Sequence, residues 1–182
     1  ETCRTRYNDH IRSICHLLAV GRFFDQGKNQ RYGLSLYLHG MAKTAYITRR
    51  ERFNAAHKLW REEWSPEKNN EVFGKCSNPN WHGHNYELFV TVKGKVDETT
   101  GFVANLKDIS DIVRLKVVDK LDHKNMNLDV DFMQGKMAST EVLTIAIWEE
   151  IEQEIAKAGG QLHCVKVVET ENNFAEYYGP NN

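Results

Sequence analysis

A chain of 182 residues with 41% hydrophobic content is long enough to bury a full core, and one function-bearing domain is expected. A net charge of -1, with both signs mixed along the chain, excludes a basic groove for nucleic acid and a cationic face for an anionic membrane. No apolar run approaches the ~20 residues of a bilayer span, which predicts a soluble protein.

Residues 1–40 carry arginine over acid and scattered apolar pairs such as LLAV and FF, a composition expected of a disordered or transit-like N-terminal extension. From Met41, MAKTAYITRRERF reads like a natural protein start, and residues 41–182 form the expected folded domain. Thr44 to His57 opens with strand-like β-branched and aromatic content, and His84 to Val96 alternates with period two before the turn DETTG. Between them, SPEK at Ser65 to Lys68 pairs an N-cap serine with proline at the first helical position, predicting a short helix toward Phe73.

Asn105 can cap a helix with apolar positions Leu106, Ile109, Ile112, Val113 and Val117. A second long helix starts near Ser139 and stops at Gly159 and Gly160. Leu162 to Thr170 and Phe174 to Tyr178 then read as two strands across the turn ENN. The order ββααββ predicts an α+β fold, a four-stranded antiparallel sheet covered on one face by two helices. Its open edges lead one to expect edge-to-edge assembly into a closed ring of subunits.

The four cysteines, Cys3, Cys15, Cys76 and Cys164, show no CxxC spacing, which predicts reduced thiols in a cytoplasmic protein. Cys164, in the apolar run LHCVKVV, is expected to be a small core hydrophobe. Cys76 opens KCSNPNWHGHN at Lys75 to Asn85, where His82 and His84 are two apart and project from one face of an extended backbone. Gly83 between them permits close packing. If the first two strands pair as a hairpin, His57 reaches the same spot. Three neutral imidazoles with an open fourth position are the pattern of a catalytic zinc. Surface histidines, or a closed structural zinc with Cys76 as fourth ligand, fit the same spacing.

Three further groups can carry chemistry. Asp122-His123, in KLDHKNMN, is either a helix-end pair or a carboxylate-oriented imidazole able to accept and return a proton. Glu169 shares a strand face with Val165 and Val167, a costly place for a carboxylate unless it pairs inside the fold or awaits a ligand with two parallel donors. Glu141 reads as a first-turn acid matched to its helix dipole.

With these pieces in place the chain resembles the 6-pyruvoyl tetrahydropterin synthase family from about Ala45 to Gly179. The motifs are RFNAAHKL, NNEVFGKCSNPNWHGHNYELFVTVKG, DETTGFVANLKD, KLDHKNMNLDVDF, STE with IWEEI, and VKVVETENN followed by YYG. The resemblance implies the T-fold, with trimers around a β-barrel stacked into a homohexamer and active sites at subunit interfaces. It implies zinc held by His57, His82 and His84, a small-molecule pterin substrate, and neither nucleic acid nor membrane as partner. The expected reaction converts 7,8-dihydroneopterin triphosphate into 6-pyruvoyl-tetrahydropterin with release of triphosphate, on the route to tetrahydrobiopterin. By the same carry-over Cys76 falls on the general base, Asp122 and His123 on the proton relay, Glu169 on the pterin anchor, and Thr140 and Glu141 on substrate contacts.

Two positions depart from the family's pattern. Trp81 stands where glycine is common, and Val142 where asparagine is usual. The related 6-carboxy-tetrahydropterin synthase usually has its cysteine closer to HGH. Here SNPNW separates them, which favours the pyruvoyl reaction.

Overall fold

The computed structural model describes residues 43–180, so the extension expected over residues 1–40, with Cys3, Cys15 and the start at Met41, lies outside the described residues. The two predicted β-rich segments form long strands, β1 (Thr44–His57) and β2 (His82–Lys95), paired antiparallel from Thr44↔Lys95 to His57↔His82. The period of two puts Phe53, Ala55 and His57 on one face, beside Tyr86, His84 and His82. Between the strands, Ser65 caps α1 (Pro66–Phe73) through its hydroxyl, which accepts from Lys68 N. Gly74 ends that helix at φ 53°, and a 3-10 turn (Gly74–Ser77) carries Cys76.

Asn105 caps α2 (Leu106–Val113), as its sequence suggests. A π-helical turn (Arg114–Val118) and the short α3 (Asp119–Leu121) extend the helical path, placing Val117 and Leu121 in the core. Ser139 caps α4 (Thr140–Lys157), and β4 (Gln161–Thr170) and β5 (Asn173–Tyr177) complete the sheet. The core packs Val113, Leu143, Ile147 and Ile151 against Leu88, Val90, Val165 and Val167, all fully buried. Cys164 is buried, as its apolar run predicts.

The expectation of four antiparallel strands is corrected in one respect. The sheet has five strands in the order β3-β1-β2-β4-β5, and β3 (Lys124–Asn125) runs parallel to β1 at Ala55 and Ala56. Two residues carry no readable period, and the strand is held by backbone bonds from His123 N to Asn54 O at 2.7 Å and Met126 N to Ala56 O at 2.8 Å. No described helix is long and apolar enough to cross a membrane.

Candidate metal centre and active site

The β1–β2 ladder ends on two of the candidate histidines. His57 and His82 are its last pair, and Ala55 faces His84 one pair back on the same face. One ligand atom from each of His57, His82 and His84 falls within 4.8 Å of the others, and Cys76 does not join that group. Close approach at the strand end depends on Gly83, where an added Cβ would lie 3.0 Å from Ala55 O.

His57 is buried, and its Nδ1 lies 2.7 Å from the Ala138 carbonyl oxygen. A carbonyl only accepts, so Nδ1 carries the proton and Nε2 keeps its lone pair for the site. His57 Nε2 and His82 Nδ1 are buried without a hydrogen-bond partner. Buried polar atoms are nearly always paired. Burial also lowers the pKa of all three imidazoles, most directly opposing their charged forms, so they stay neutral near pH 7. Neutral, convergent and orphaned nitrogens fit a divalent metal.

Glu169, at the end of β4, faces this triad. Its Oε1 is 3.5 Å from His57 Nε2 and 3.7 Å from His84 Nε2, and accepts from Thr140 Oγ1 at 3.0 Å. It has no arginine or lysine partner among the described residues, so its place on an apolar strand face is not explained by an internal cation. Tyr86 lies beneath, its phenol pushed far up by burial and then by the Glu169 charge and hydrogen bond. The continued alternation His82, His84, Tyr86 is the signal that would have found it.

Cys76 is half-buried, and its carbonyl accepts from Leu59 N at 2.9 Å, which ties its turn to the chain leaving β1. Burial pushes its thiol pKa up, and the Glu169 charge adds to that. The Glu169 charge thus acts on both the imidazoles and the thiol. Glu141 stands exposed in the first turn of α4, outside the hydrogen bond joining Thr140 and Glu169.

Asp122 and His123 form a pair at the opposite edge of β1. Asp122 Oδ2 is 3.0 Å from His123 Nδ1, while its Oδ1 accepts from Asn54 N at 2.8 Å. That backbone bond is the largest cause of a lowered Asp122 pKa. His123 turns the chain at φ 59° and leaves its side chain 77% exposed. It shares a cleft of about 510 Å³ with Ala56, Gly83 and His84. A second cleft, about 870 Å³, meets His82 from the side of Trp60, Lys75, Ser77 and Pro79. The monomer therefore gathers the triad, Glu169, Thr140 and Tyr86, and sets the Asp122-His123 pair along a cleft that His84 borders.

Fold and site together define an α+β domain in which three imidazoles able to hold a metal ion converge at the end of the β1–β2 ladder. Residues 46–180 match the family model described as 6-pyruvoyl tetrahydropterin synthase, and the chain belongs to that family. It is 42% identical over 139 residues to a Dictyostelium discoideum protein named 6-pyruvoyl tetrahydrobiopterin synthase, covering 76% of this chain and 99% of that one. A Homo sapiens protein of the same name is 41% identical over 135 residues, 74% of this chain and 92% of its own. The solved Caenorhabditis elegans 6-pyruvoyl tetrahydropterin synthase superposes with TM-score 0.71 at 35% identity, covering 76% of this chain and 97% of that one.

Proposed function

We propose that the protein is a zinc-dependent carbon–oxygen lyase that converts 7,8-dihydroneopterin triphosphate into 6-pyruvoyl-tetrahydropterin with release of triphosphate, toward tetrahydrobiopterin. The observation that carries this reading is the set of three neutral imidazoles converging beside the Glu169 carboxylate. Relatives covering nearly the whole of their own length and named for that synthase support it.

His57, His82 and His84 would hold the ion. When bound, zinc supplies a Lewis acid for the side-chain hydroxyls of the substrate. Glu169, oriented by Thr140, accepts from the pterin N3–H and 2-amino group, two parallel donors for a carboxylate that has no arginine or lysine partner among the described residues. Thr140 and Glu141 are the further substrate contacts of this reading. Cys76 acts as the base, its thiolate removing a carbon-bound proton from the substrate side chain. The Asp122-His123 pair relays the proton back at another carbon, so the redox change stays internal to the substrate.

The exposure of His123, the free edge of β5 and the stretch of β1 that the two-residue β3 leaves uncovered support assembly of a homohexamer, two stacked trimers with active sites between subunits. A cytoplasmic location accords with the free thiols of Cys76 and Cys164. The test is incubation of the zinc-loaded and chelated protein with dihydroneopterin triphosphate. The reading requires 6-pyruvoyl-tetrahydropterin and triphosphate from the loaded protein alone. A carboxylated pterin with acetaldehyde would assign the 6-carboxy reaction instead.

A further inference from the structure

The two strands that carry the triad both stop at it, since β1 ends at His57 and β2 begins at His82. A ladder end is held from one side only and is the first part of a hairpin to open. Opening here would move two of the three ligands. One residue beyond each strand end, Lys58 follows His57 and Trp81 precedes His82. Lys58 Nζ lies 4.7 Å from the centroid of the Trp81 ring and 4.8 Å from that of Trp60, so the ammonium is held between two indoles.

Both partners are anchored. Lys58 N donates to Asn127 Oδ1 at 3.0 Å, and Asn127 Nδ2 donates back to Lys58 O at 3.0 Å. Trp81 N donates to Asn78 O at 3.0 Å, closing the turn that leads into β2. Trp81 pays for this placement with φ 66°, a left-handed backbone that a bulky residue rarely adopts and that glycine would take freely. The ring is what a glycine would not supply.

We propose that Trp81, Lys58 and Trp60 form a clasp across the end of the β1–β2 ladder, positioning residues that set His57 and His82 for metal before the metal arrives. The inference rests on reading the histidine triad as the metal centre. The clasp holds the last ladder pair by a contact outside the ladder's own backbone bonds, alongside the bond from Leu59 N to Cys76 O. It acts through the geometry of the two ligands rather than on the ion or the substrate.

The test uses the full metal-free chain and its Trp81→Gly, Lys58→Met, double and Lys58→Arg variants. It reads amide hydrogen exchange at His82 to His84, zinc affinity by chelator competition, and the global melting midpoint. The clasp predicts about tenfold faster exchange and about tenfold weaker zinc binding in each single variant. The double variant should be no worse than either single, Lys58→Arg should behave as wild type, and the midpoint should stay put. Unchanged exchange, additive losses, or a midpoint that falls in step with them would overturn it. If the wild-type chain takes up no zinc, the metal reading fails, and the exchange data alone still decide the clasp.

Discussion

Thr140 Oγ1 donates to Glu169 Oε1 at 3.0 Å, so the first turn of α4 orients a carboxylate at the far end of β4. If that carboxylate anchors the pterin, Glu169→Gln removes the charge and one acceptor while leaving all three imidazoles. We expect zinc content unchanged and kcat/KM lower by about 100-fold or more. Thr140→Val should cost less, about three- to tenfold, mainly in KM. Metal analysis beside steady-state kinetics checks both, and zinc loss from Glu169→Gln would make it a ligand support instead.

The metal-free protein should be acid-sensitive. His57, His82 and His84 all have pKa values lowered from 6.5 by burial, so the unfolded chain binds more protons than the folded one as pH falls. Their contribution is fully present above about pH 6.5 and is lost as pH drops through the folded values. Melting midpoints measured from about pH 7.5 to about pH 5 should fall, and less steeply in His57→Gln.

Gly83 is the tightest point of the hairpin end. With an added Cβ 3.0 Å from Ala55 O, Gly83→Ala must push β2 away from β1 between the two ligands. The expected cost is about 1–2 kcal/mol of stability, together with weaker zinc binding, read by denaturant titration and chelator competition.

The long elements were legible because their periods are long. β1, β2, β4 and the helices capped by Ser65, Asn105 and Ser139 all carry enough residues for a pattern, and the His57, His82, His84 convergence follows from pairing two of those strands. The two-residue β3 was not legible, since its pairing depends on the turn at His123 and on backbone bonds to Asn54 and Ala56. The Ala138 carbonyl that fixes the His57 tautomer is 81 residues away and has no side-chain signature. The Lys58 clasp needed the Trp81 backbone angle, which no composition predicts.

Cys76 distinguishes a base beside the metal from a fourth ligand. In the metal-free protein burial and then the Glu169 charge hold its thiol protonated at neutral pH. A cation at the triad offsets that carboxylate, so zinc should accelerate alkylation of Cys76 by iodoacetamide, followed site by site by mass spectrometry. A ligand would instead be protected by zinc.

On the proposed function, three histidines hold the metal while Cys76 does chemistry next to it. Zinc stoichiometry and dihydroneopterin triphosphate turnover, measured together on Cys76→Ala, test it most directly. Full zinc with turnover reduced by about 1,000-fold or more is the expected outcome. Loss of zinc from this variant, or turnover near that of the parent chain, would contradict it.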